Sequence, residues 1–119
     1  DEAQAVASMH RIKEIGVLIR KALDDGDIGE FGRLMHEHWM EKRKVSDMMS
    51  DPRVDAWYEK ALKNGALGGK LMGAGGGGFF LLCSENGKRK QLRAVMEAEG
   101  LRYMDFQFDW EGSKVLVNF

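Results

Sequence analysis

Three stretches of helical periodicity open the chain. Ala5, Met9, Ile12, Gly16, Ile19 and Leu23 recur at spacings of four and three, and Ile15, Leu18 and Ala22 widen the stripe. This predicts a helix over 3–24, with a face broad enough to meet more than one neighbour. Gly26 and Asp27 supply a stop and the next N-cap. Ile28, Phe31, Leu34, Met35, His38 and Val45 mark one side of a second helix over 28–44. Asp51 as N-cap and Pro52 at the first helical position begin a third, which carries Val54, Trp57, Tyr58, Ala61 and Leu62 and stops at Asn64-Gly65.

The second half changes character. Residues 79–83, FFLLC, are a continuous apolar run, the pattern of a central strand covered on both faces. A fourth helix is predicted over 86–99, with Leu92, Val95 and Met96 inward and Gly100 as its stop. Residues 101–110 alternate, with Met104, Phe106, Phe108 and Trp110 on one face. After a turn at 111–113, Val115, Val117 and Phe119 are in phase on a returning strand. The order is three helices, then strand, loop, strand, helix, strand, strand. That is an α+β pattern, an antiparallel sheet with helices packed on one side.

Composition narrows the function classes. The 119 residues form one domain, 1–119, with 44% hydrophobic and 31% charged residues. A net charge of −1 gives no general attraction for nucleic acid or an anionic membrane. No apolar run approaches the length of a bilayer span. The N-terminus is led by acids, unlike a secretory leader, and lacks a starting Met; we read it as the interior of a longer protein. One cysteine, Cys83, excludes an internal disulfide and fits a reducing, cytoplasmic location; in a strand it reads as buried and inert. The run Lys88-Arg89-Lys90 reads as a solvated face.

The segment 65–78, GALGGKLMGAGGGG, holds eight of the fifteen glycines. It is one residue short of a Walker A loop and has Leu71 where that loop needs a hydroxyl. A dinucleotide fingerprint drawn through Gly73, Gly75 and Gly78 needs a helix to follow, and a strand follows instead. What remains is a glycine turn between two strands. Its N–H groups can form an anion-binding concavity, or the glycines can serve close backbone packing alone.

The order Lys70-Leu71-Met72-Gly73-Ala74-Gly75-Gly76-Gly77-Gly78-Phe79 resembles the third conserved motif of the GHMP small-molecule kinases. FGRLMHEHWMEKRKVS, from Phe31 on, resembles the family's helix that reads L-M-x-E-x-H, and DPRVDAWYEK, from Asp51 on, resembles the segment leading into that motif. The resemblance runs from about Ala7 to Phe119 and is nearest to a sugar-phosphate, heptose-phosphate-like subgroup. Met72 departs from the Thr or Ser of many members, as that subgroup permits.

The resemblance implies a ferredoxin-like sheet of about four strands and an ATP-dependent sugar kinase using Mg²⁺. Gly73, Ala74, Gly75, Gly76, Gly77 and Gly78 would border the phosphates. Lys70, His38 and Trp39 would face a sugar phosphate substrate. The open alternatives are a solvated strand-edge Lys70, a core Trp39 and a partly buried His38. Lys42 and Arg43 are read as meeting a sugar phosphate or as a solvated helix end. His36 and His38, two apart on a helix, leave it about 200° apart and cannot share one metal ion. Asp51, Arg53 and Asp55 read as cap and surface.

The family's main phosphate loop and its catalytic base lie in an N-terminal domain that this sequence does not contain. The expectation is therefore the C-terminal half of a kinase, inactive alone and not itself ligating Mg²⁺. Its uncovered interdomain surface would favour homo-oligomers. The competing reading is a non-catalytic α+β domain for ligand binding or oligomerisation.

Overall fold

A computed structural model describes residues 2–45, 51–72, 78–103 and 114–118. Helix α1 (Glu2–Asp25) ends where Gly26 turns back at φ 71°. The Gly26 and Asp27 N–H groups donate to the carbonyls of Leu23 and Ala22, at 3.1 and 2.9 Å. A left-handed residue at this position suits glycine, which has no Cβ to clash. Asp27 then caps α2 (Ile28–Val45), its Oδ1 accepting from the Glu30 N–H at 3.1 Å. The two helices form a hairpin sealed by Ile15, Ala22 and Leu34, with Ile19 and Phe31 packed against them. Arg11 of α1 donates to Glu37 of α2 through Nε at 2.8 Å.

The buried face of α1 is narrower than its sequence predicts. Ser8, Ile15 and Ala22 are buried at seven-residue spacing, whereas Met9, Leu18 and Leu23 are exposed. Its main neighbour is the single helix α2, and a two-helix seam needs only a narrow stripe.

Asp51 caps α3 (Pro52–Lys63) as predicted, its Oδ1 accepting from the Arg53 N–H at 2.8 Å, with Pro52 at the start. Strands β1 (Ala66–Met72) and β2 (Phe79–Ser84) follow, then α4 (Arg89–Ala98), β3 (Arg102–Tyr103) and β4 (Lys114–Asn118). Helix α4 starts three residues later than predicted. Asn86 and Gly87 are spent on a turn that Lys88 closes by donating to the Glu85 carbonyl at 3.1 Å. The predicted strand over 101–110 is seen at Arg102 and Tyr103; 104–113 and Phe119 lie outside the described residues.

The sheet order is β1-β2-β4-β3, every neighbouring pair antiparallel. Strands β2 and β3 are therefore parallel, joined through α4, with the last strand inserted between them. Phe80 pairs with Val117 and Leu82 with Val115, so these four share one face. They are buried against Val54, Tyr58 and Ala61 of α3 and Leu92 and Met96 of α4. Burying each large apolar side chain stabilises by about 1.5–3 kcal/mol. The run FFLLC is central but not covered throughout: Phe79 is exposed and Leu81 half-buried. The α+β class expected from the sequence is the class observed. Helix α2 does not join α3 and α4 over that face. It follows the edge strand β1, and the next subsection gives the reason.

Candidate functional site

The site is built on β1, and the first glycines of the rich segment determine where α2 can sit. A Cβ on Gly68 would run into the Gly32 carbonyl oxygen and lie 2.6 Å from the His36 nitrogen. A Cβ on Gly32 would lie 2.7 Å from that of Leu67. Helix backbone thus rests directly on strand backbone, a separation that side chains do not allow. Gly69 is closed in on its other side, where a Cβ would lie 2.9 Å from the Leu81 carbonyl oxygen and 3.3 Å from Tyr58. Gly68 and Gly69 are therefore packing glycines. The close-packing reading applies to this part of the segment.

Tyr58 fastens the same edge. Its ring stacks on Trp39 with centroids 3.9 Å apart and planes 11° apart. Its hydroxyl is 2.8 Å from His36 Nδ1 and is also hydrogen-bonded by the Gly69 N–H. Burial pushes its pKa well above the ordinary phenol value. Trp39 also stacks on Phe80 at 5.6 Å and belongs to the core; its Nε1 is buried with no hydrogen-bond partner among the described residues. Sequence reading missed the roles of Gly32, His36 and Tyr58. The available signal was the spacing of Gly32, His36 and Trp39, which places all three on one flank of a helix.

His38 leaves α2 about 100° from Trp39 and has different surroundings. It is half-buried, and its pKa lies below the ordinary imidazole value, first through burial, then through the charges of Lys42 and Lys70. Lys70 is exposed on β1. The neighbours of Lys42 are occupied: Arg43 pairs with Asp55 at 3.5 Å and Lys44 with Glu41 at 3.0 Å. Lys42 and Lys70 have no carboxylate partner among the described residues.

Just beyond Lys70, Met72 pairs with Phe79 across the β1–β2 ladder. Residues 73–78 are thus the connection between two adjacent antiparallel strands, as the sequence required once a following helix was ruled out. Gly78 is buried at its end; Gly73, Ala74, Gly75, Gly76 and Gly77 lie outside the described residues. Lys70 stands two residues before Met72 and its charge acts on His38, while Trp39 lies in the core. Cys83 is buried, with its Sγ 3.8 Å from the Ile28 carbonyl oxygen and its pKa pushed up to about 11 by burial, so it carries no thiolate at neutral pH. No group of His, Cys, Asp and Glu among the described residues could hold a metal ion. No helix among them is long and apolar enough to cross a membrane.

A glycine-rich connection between antiparallel strands, flanked by a helix hairpin, sets this domain apart from strand-to-helix phosphate loops. The family model described as GHMP kinases C terminal matches residues 19–101, most of the chain. The chain belongs to that family. It is 30% identical over 113 residues to the D-glycero-alpha-D-manno-heptose 7-phosphate kinase of Campylobacter jejuni, covering 95% of this chain and 33% of that protein. It is 42% identical over 82 residues to the galactokinase of Thermococcus kodakarensis, covering 66% of this chain and 22% of the relative. It is 33% identical over 93 residues to the bifunctional fucokinase/GDP-fucose pyrophosphorylase of Arabidopsis thaliana, 77% of this chain and 9% of that protein. The chain thus spans a third or less of the length of these relatives.

Proposed function

We propose that the chain is the C-terminal half of an ATP-dependent sugar kinase and forms one wall of its phosphoryl-transfer cleft. The observation that carries this reading is the pairing of Met72 with Phe79, which makes 73–78 a strand-to-strand connection, with Lys70 two residues before Met72 and its charge acting on His38. Phosphoryl transfer depends on positioning and on neutralising charge, which suits backbone N–H groups and a free ammonium. Gly73, Ala74, Gly75, Gly76, Gly77 and Gly78 border the phosphates of ATP, and Lys70 faces the sugar phosphate. His38 faces the acceptor, and Trp39 supports it from the core. ATP supplies the transferred group; Mg²⁺ is ligated outside this chain. The acceptor is a sugar of the heptose-phosphate type, an assignment supported by the likeness to the Campylobacter enzyme along nearly the whole chain.

On this reading the main phosphate loop and the catalytic base belong to an N-terminal domain, and the 119 residues alone do not turn over. The sheet is a ferredoxin-like one, a reading supported by the parallel β2–α4–β3 unit with β4 between its strands. The location is the cytoplasm, where the lone buried thiol of Cys83 needs no protection. The reading frame upstream of Asp1 is expected to encode a Gly-Leu-Gly-Ser-Ser-like loop about one domain earlier, and the polypeptide joining both halves to phosphorylate sugars from ATP. An upstream frame without such a loop, or turnover by the purified 119-residue chain, contradicts the proposal.

A further inference from the structure

We propose that Lys70, Lys42 and His38 form a subsite for a phosphate monoester, the phosphate that the acceptor already carries and does not receive in the reaction. The inference rests on the kinase reading and deepens it. Three observations place the groups together. Leu67 and Gly68 lie against Gly32 and His36, so β1 and α2 advance in the same direction along their contact. Two residues of strand advance about 6.6 Å, or about four residues of helix. Lys70 therefore lies level with the turn that holds His38, and the lowering of the His38 pKa by the Lys70 charge agrees. Lys42 is one helical turn beyond His38, on the same side.

The charge balance points to an anion. Arg43 and Lys44, next to Lys42, have carboxylate partners, whereas Lys42 and Lys70 converge on an imidazole with none among the described residues. Lys42 and Lys70 are exposed beside the half-buried His38, and like charges brought together repel unless an anion joins them. Two ammonium groups and an imidazole match a phosphate dianion in charge and supply donors only. An unphosphorylated sugar would gain little from them. The subsite thus separates acceptors that carry a phosphate from those that do not.

The test is NMR of the His38 imidazole in the 119-residue chain at low salt, with mannose 6-phosphate, inorganic phosphate, mannose and ATP as probes. The two small phosphates are expected to shift the His38 signal saturably and raise its titration midpoint, and mannose to leave both unchanged. Lys42→Gln and Lys70→Gln are each expected to weaken mannose 6-phosphate binding by about tenfold or more, the value of one charge-assisted hydrogen bond. Lys21→Gln, toward the other end of the helix hairpin, is expected to leave it unchanged. No saturable shift, an equal shift with mannose, or equal weakening by Lys21→Gln overturns the subsite. So does ATP that displaces mannose 6-phosphate with the same dependence on both lysines, since the site would then belong to the nucleotide. The two readings fail separately. A joined kinase that is active but keeps its KM for a phosphorylated acceptor in Lys70→Gln sinks the subsite alone. Saturable phosphate binding at the trio without any transfer from ATP sinks the kinase reading alone.

Discussion

Two flanks of helix α2, one residue apart in sequence, have been put to different uses. Gly32, His36 and Trp39 are committed to the fold: backbone on the strand at Gly68, a hydrogen bond to Tyr58, and an aromatic stack reaching Phe80. His38 is half-buried, and the charges of Lys42 and Lys70 help to hold its pKa below the ordinary imidazole value. On the first flank His36 Nδ1 is hydrogen-bonded within the protein, and the glycines are explained by contact. The second flank holds cations at some cost in repulsion. That cost is understandable if an anion arrives from outside the domain. Glycine or histidine content alone does not distinguish a binding wall from a packing seam; the neighbours of each residue do.

The contrast can be broken from the packing side first, where effects are largest. Trp39→Ala is expected to cost about 3–5 kcal/mol in denaturant unfolding, because it empties the stack between Tyr58 and Phe80. A loss below about 1 kcal/mol would mean that the indole is not core. Gly68→Ala comes next, at about 1–3 kcal/mol or more, since its methyl group meets helix backbone that cannot rotate away. A neutral Gly68→Ala would refute the close helix–strand approach.

On the other flank Lys42→Gln is expected to change stability by no more than about 0.5 kcal/mol, and to raise the His38 pKa toward its ordinary value by removing a neighbouring charge. The sign for pH follows. His38 titrates lower in the folded chain than in the unfolded one, so the unfolded chain binds more protons between the two values. Stability therefore rises with pH through the region just below the ordinary imidazole pKa and falls as pH drops through it. Lys42→Gln should flatten that slope. An NMR titration of His38 measures both, and a His38 midpoint unmoved by the substitution would remove Lys42 from the cluster.

Much of this was legible in the sequence. Helix starts and stops followed from local chemistry at Gly26, Asp27, Asp51 and Pro52, where capping acts within a few residues. The rejection of the dinucleotide fingerprint followed from FFLLC, and the Met72–Phe79 pair bears out the strand-to-strand connection. What escaped was set by distant partners. The stripe on α1 looked broad because Met9, Leu18 and Leu23 are apolar, yet only a seam against α2 is needed. Gly68 and Gly69 looked continuous with the glycines after Met72. Only the position of α2 and Tyr58 shows that they serve packing, and no local pattern encodes a contact with a helix about thirty residues upstream. His38 and Lys42 were visible as candidates, but the effect of the Lys70 charge on His38 needed the strand in place.

The most direct measurement of the central claim is ATP-dependent phosphorylation by the polypeptide that carries this chain together with its proposed N-terminal domain, comparing Gly75→Val with the parent at matched melting temperature. If 73–78 borders the transferred phosphate, kcat/KM falls by at least about a hundredfold, as for loss of one oxyanion-type donor, while the melting temperature holds. Unchanged kcat/KM with the fold intact would show that this connection, like Gly68 and Gly69, serves packing alone.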